Sequence, residues 1–146
     1  MSVAVVIDAS VAIKWVIEEE GTPQALALLS YALAAPDLLI AECANILWKK
    51  VRFGELSSKE ANFAAGLLAR ADIELMPMRP HLQAATRLAI ALDHPAYDCI
   101  YVALAEAEGA RLVTADARLV QKLAAHAGGR FQDRVVALSN SAAWPQ

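Results

Sequence analysis

The stretch Val3-Ala4-Val5-Val6-Ile7-Asp8-Ala9-Ser10 decides how the rest of the chain is read. Val3 to Ile7 is rich in β-branched residues and unbroken by charge, which suits a strand buried on both faces at the centre of a parallel sheet. The run ends on an acidic residue. Three later apolar runs end in, or run into, another: PDLLIAE (36–42) at Glu42, HPAYDCIYVAL (94–104) at Asp98, and RLVTAD (111–116) at Asp116. Read as parallel strands and the helices that follow them, these segments deliver all four carboxylates to one end of one sheet, where α/β folds place their chemistry. Like charges gathered there resist ionising unless a divalent cation sits among them.

With 146 residues, 58% of them hydrophobic, the chain can build one sizeable core but not two, so residues 1–146 are expected to form a single domain. Cys43 and Cys99 are far apart in sequence and support neither a disulfide framework nor a metal knuckle, which fits a reducing, cytoplasmic setting. The N-terminus has no basic leader region and meets Asp8 early. The apolar stretch from Ala25 to Ala41 is broken by Pro36 and Asp37, so no targeting or membrane-spanning segment is expected. A net charge of −3 argues mildly against indiscriminate nucleic-acid binding. Local basic groups matter more: Lys49, Lys50 and Arg52 form one, and Arg111, Arg118, Lys122, Arg130 and Arg134 another.

Along the chain, Ser10 is expected to cap a short helix through Ile17, and Thr22-Pro23 to open a second one carrying Leu26, Leu29 and Leu33. Leu38 to Ile40 reads as a short strand leading into a helix from about Ala41 to Phe53, closed by Gly54. Ser57 and Glu60 form a capping box for a helix to about Ala71. Ile73 to Met76 alternates like an edge strand. A helix from about His81 to Leu92 precedes Asp93-His94-Pro95, which opens another ending near Gly109. Leu112 and Val113 form a strand, Asp116 opens a helix to about Ala125, and Val135 to Leu138 is a last strand. This alternation builds a parallel sheet with helices on both faces.

Each carboxylate also has a local explanation. Asp116 suits an N-cap, Glu42 and Asp98 suit first helical turns, and Asp8 suits the turn before Ser10. Those roles do not explain why all four converge, whereas a partly hydrated octahedral cation requires such oxygen ligands. Trp15 is expected in the core. Tyr97 and Tyr101 flank the cluster and are expected to pack, with a hydrogen bond to the site as the alternative. His81, His94 and His126 show no ligand spacing, and Cys43 and Cys99 read as small core residues.

These residues resemble a known family. Asp8-x-Ser10, Glu42-x-x-Asn45, Tyr97-Asp98 with Tyr101-x-Ala103-Leu104-Ala105, and Thr114-x-Asp116-x-x-Leu119 are together similar to the PIN-domain ribonucleases, above all the VapC-type toxins of bacterial toxin–antitoxin pairs. The resemblance runs from Val3 to about Ala137. It implies a three-layer α/β/α domain with a central parallel sheet ordered 3-2-1-4-5. It also implies an acidic metal-binding and catalytic cluster of Asp8, Glu42, Asp98 and Asp116, with Ser10, Asn45 and Thr114 in support. The implied activity is Mg²⁺- or Mn²⁺-dependent endoribonuclease cleavage leaving a 5′-phosphate and a 3′-hydroxyl. The implied partners are an RNA substrate, a VapB-like antitoxin over the acidic site and a second copy of the chain. A PIN nuclease of RNA processing or quality control, and a non-catalytic binding module of the same fold, are the alternatives.

Helical spacing adds candidates for RNA contact. Glu42, Asn45 and Lys49 share one face at i, i+3 and i+7, and Arg118 and Lys122 pair at i, i+4 beyond Asp116. Solvated surface charge is the alternative for all three cations. A haloacid-dehalogenase-like phosphatase is disfavoured because Ser10 stands where a second aspartate is required. A receiver domain is disfavoured because no lysine follows the last strand near Val136.

Overall fold

A computed structural model describes residues 2–131 and 133–146. Its centre is β1 (Val5–Ile7), whose three residues have no exposed surface. β-Branched side chains pointing to both faces of a pleated strand need cover on both sides, and a parallel sheet between helical layers supplies it. β1 pairs in parallel with β2 (Leu33–Pro36) on one side and with β4 (Arg111–Thr114) on the other. The edge strands β3 (Glu74–Met76) and β5 (Val135–Ala137) complete a five-stranded parallel sheet ordered β3-β2-β1-β4-β5, as the resemblance implied.

Ile7 stands opposite Val113, so the chain leaves β1 at Asp8 beside the end of β4 at Thr114. The order reverses between these strands. That switch point opens a crevice at the carboxyl edge of the sheet.

The helices are α1 (Ala9–Ala12), α2 (Thr22–Ala27), α3 (Leu38–Arg52), α4 (Ser58–Ala69), α5 (Leu82–Leu92), α6 (Ala96–Glu108) and α7 (Ala117–Ala124). α6 packs against β1, β2 and β4 and also against α5, while α3 packs against α4. Its burial is correspondingly deep: Tyr101 to Ala105 are all buried. Short 3-10 turns extend α1 to Trp15 and α2 to Ser30, and Trp15 ties the two together by donating its indole N–H to the Ala25 carbonyl at 2.8 Å.

Three expectations are corrected. The strand after α2 is Leu33–Pro36, so Leu33 belongs to β2, and Leu38 to Ile40 already forms the first turn of α3. A short continuous apolar run does not distinguish a strand from a buried helical turn. Here the buried positions Leu39, Cys43 and Leu47 recur every four residues, a helical stripe that begins at Leu39. The cap of α1 is Asp8 rather than Ser10: its carboxylate accepts the Val11 amide at 3.3 Å. The capping box at Ser57 and Glu60, the exposed edge strand β3 and the helix opened by Asp116 form as expected.

Candidate active site

Each of the four carboxylates reaches the crevice from a different element. Asp8 ends β1 and caps α1; Glu42 lies one turn into α3; Asp98 is in the first turn of α6; Asp116 follows β4 and caps α7. Together with Ser10 and Asn45 they line a pocket of about 520 Å³, walled on its apolar side by Leu38, Ile46 and the exposed ring of Tyr97. Thr114 lies beneath the pocket floor, fully buried.

The bonding at Asp8 is the most complete. Ser10 Oγ donates to Oδ1 and Thr114 Oγ1 to Oδ2, each at 2.5 Å, and the Val11 amide adds a third donor. Burial nevertheless dominates: with 7% of its surface exposed, Asp8 is pushed up from 3.8 to about 6, aided by the negative field of Asp98. The three hydrogen bonds act the other way. Burial also raises Glu42, against the bond from Tyr101 and with the field of Asp98. The charge of Asp98 thus adds to the burden that burial places on Asp8 and Glu42.

Tyr101 donates its hydroxyl to Glu42 Oε1 at 2.6 Å, so the hydrogen bond held as an alternative to simple packing is formed. The same contact, with burial as the larger cause, holds the phenol far above its ordinary range. Asp116 Oδ1 accepts the amides of Arg118 and Leu119 at 3.0 and 3.2 Å. Its own amide donates to Thr114 Oγ1, which links it to the bonds around Asp8.

His94 is the participant the sequence reading passed over. Its Nε2 stands 2.6 Å from Asp98 Oδ2. The available signal was the i, i+4 spacing of His94 and Asp98 across Pro95, which a search for histidine–histidine ligand spacings overlooks. Of the cations proposed for RNA contact, Lys49 and Arg118 are exposed outside the pocket lining. The Lys122 ammonium is engaged with the Asp93 carbonyl at 2.9 Å and with His94 Nδ1 at 3.4 Å.

Among the described residues, no three His, Cys, Asp or Glu side chains form a ready-made metal cage. The donor set still fits a hard divalent cation. Magnesium-type ions take one or two carboxylates, keep several waters and do not need a closed protein shell, and the buried Asp8 and Glu42 would gain from such a charge. Burial pushes the Cys43 thiol up to about 12 and the Cys99 thiol to about 11, so neither is an activated nucleophile.

A parallel sheet in this order, with acidic residues at its switch point, is the architecture of the PIN domain. The PIN domain family model matches residues 5–125, and the chain belongs to that family. It is 36% identical over 127 residues to Ribonuclease VapC3 of Pyrobaculum aerophilum, covering 82% of this chain and 95% of that protein. The crystal structure of PAE2754 from the same organism superposes with a TM-score of 0.70 at 23% identity, over 94% of this chain and 85% of the other. A toxin–antitoxin complex from Klebsiella pneumoniae contains a chain with a TM-score of 0.61 at 14% identity, over 92% and 98%. Among the described residues, no helix is long and apolar enough to cross a membrane.

Proposed function

We propose that this chain is a metal-dependent endoribonuclease, the toxin of a VapBC-type pair. The observation that carries the reading is the meeting of Asp8, Glu42, Asp98 and Asp116, each from a different element, in one pocket at the sheet's switch point. Family membership and the likeness to a protein named Ribonuclease VapC3 supply the class of reaction. The likeness to a chain of a toxin–antitoxin complex supports an antitoxin partner, and the proposal places it over this pocket. A second copy of the chain and a cytoplasmic setting complete the proposal.

In this reading the four carboxylates hold Mg²⁺ or Mn²⁺. A bound ion of this type supplies an acidified water for in-line attack on a phosphodiester and offsets charge on the leaving oxygen. The chain's own groups set the geometry. Ser10 and Thr114 fix both oxygens of Asp8, Tyr101 fixes Glu42, and the α7 amides fix Asp116. Asn45, one turn beyond Glu42 on α3, supplies a neutral donor and acceptor at the pocket mouth. Lys49 and Arg118 approach the RNA backbone from either side, on α3 and α7.

Antitoxin-free protein incubated with total cellular RNA tests the proposal, with sequencing of the new ends. Discrete cuts in Mg²⁺ or Mn²⁺ that vanish with a chelator and in the Asp98→Asn variant are expected. Folded wild type that makes no cut above those controls would sink the nuclease reading in favour of a binding module.

A further inference from the structure

Asp98 is a carboxylate that its own helix does not hold. It occupies the third position of α6, from which an acidic side chain ordinarily reaches back to the amide of the cap residue. The cap here is Pro95, which has no N–H to offer. Asp98 Oδ2 is instead engaged by His94 Nε2 at 2.6 Å, from the residue just before the proline.

The ring of His94 is set from its other side. Lys122, on α7, stands 3.4 Å from Nδ1 and donates to the Asp93 carbonyl at 2.9 Å. Asp93 turns the chain between α5 and α6 in the left-handed region, at φ 51° and ψ 55°. A lysine ammonium has donors and no acceptor, so the arrangement fits the tautomer in which Nδ1 faces Lys122 as the acceptor and the Nε2–H faces Asp98. In that tautomer the bonds run from Lys122 to His94 and from His94 to Asp98. The side chain of His94 is 13% exposed and that of Asp98 31%, so the contact is shielded while the carboxylate still reaches the pocket.

We propose that His94, oriented by Lys122, is a positioning residue that holds Asp98 Oδ2 and so fixes the carboxylate at the pocket that would take the divalent cation. Lys122 is thus a structural strut between α7, which carries Asp116 at its start, and the corner that carries Asp98, rather than a ligand of RNA. This inference rests on the metal-site reading above. Hydrogen-bond partners of metal-ligating carboxylates typically govern metal affinity by about 10–100-fold.

Calorimetric titration with Mn²⁺ alone separates the two layers of the argument. Asp98→Asn, His94→Ala, His94→Gln and Lys122→Met are compared with wild type, each checked for native circular dichroism. His94→Ala is expected to bind Mn²⁺ about 10–100-fold more weakly. His94→Gln, whose amide N–H can occupy the Nε2 position, is expected to restore most of the loss. Lys122→Met, a change at an exposed side chain, is expected to weaken Mn²⁺ binding several-fold and to lower kcat without raising KM for RNA. Unchanged Mn²⁺ affinity in folded His94→Ala or Lys122→Met, beside a loss in Asp98→Asn, would overturn the positioning role alone. A raised KM in Lys122→Met with unchanged Mn²⁺ affinity would return that lysine to the RNA. If wild type and Asp98→Asn bind Mn²⁺ equally, the metal-site reading fails and the positioning role fails with it.

Discussion

Tyr101 and Glu42, 59 positions apart in the chain, meet at 2.6 Å, phenol donating to carboxylate, and so join the most buried helix to the wall of the acidic pocket. Removing only the hydroxyl, in Tyr101→Phe, leaves Glu42 Oε1 without its donor while the ring still fills its place. A hydrogen bond to a charged group contributes about 1.5–3 kcal/mol. The variant is expected to lose about that much stability in urea denaturation at pH 7, and a midpoint equal to wild type would contradict the assigned bond.

Asp116 has two roles that substitution can separate. Asparagine caps helices about as well as aspartate, so Asp116→Asn should keep the thermal midpoint within a degree or two of wild type while cleavage falls by roughly 100-fold or more. Asp116→Ala should lose cleavage to the same extent and about 1 kcal/mol of stability as well. Should the asparagine variant cleave at the wild-type rate, Asp116 is a cap only.

Asp8 makes folding pH-dependent in a definite direction. Its folded value of about 6 lies above the ordinary 3.8, so the native state holds this proton more firmly than the unfolded chain. The associated stability is fully present below pH 3.8 and is lost as pH rises through about 6, amounting to about 3 kcal/mol. In chelator at pH 7.5, Asp8→Asn is therefore expected to be about 1–3 kcal/mol more stable than wild type, with the difference closing near pH 4. Added Mn²⁺ should raise the wild-type midpoint at pH 7.5 and barely move it at pH 4.5. A variant less stable than wild type at neutral pH would refute the burden assigned to Asp8.

Lys49 and Arg118 are exposed and lie outside the pocket lining, so the RNA contact proposed for them would be electrostatic. Each alanine variant should reduce the slope of log affinity against log salt by about 0.7, the value for one phosphate contact on a single strand. Fluorescence anisotropy with an inactive Asp98→Asn background measures this without cleavage. Slopes unchanged in both variants would remove these cations from the RNA path.

The two thiols offer a check on packing that needs no substrate. Cys43 and Cys99 are buried with their ionisation pushed to about 12 and 11. A disulfide reagent at pH 8 should label neither in native protein and both after denaturation. Rapid labelling of the native chain would show that the core around α3 and α6 opens readily.

The elements legible in the sequence were those whose side chains obey one rule. The β-branched run ending at Ile7 suits a central strand, Ser57 with Glu60 makes a capping box, and the acidic residues that close or follow apolar runs point to one sheet edge. Leu33 to Ile40 was misread because two small alanines in β2 carry little strand character, while the apolar start of α3 imitates a strand. His94 was missed for a different reason. Its i, i+4 spacing to Asp98 is a local signal, but the second contact of the ring, with Lys122 28 positions away, has no local pattern to announce it.

The bond between Thr114 and Asp8 spans 106 positions, nearly the whole distance from the first strand to the fourth. A ribosome making this chain releases Asp8 more than a hundred residues before Asp116. Parallel pairing of β1 with β4 must wait for that moment, because no earlier segment can stand in for the missing strand. A nascent chain therefore carries Asp8 alone until Glu42 is made, two of the four until Asp98, and the full set only once Asp116 has been added. A cell producing it meets a complete pocket only once Asp116 and β4 have emerged, which sets the latest possible time for a protective partner to be at hand.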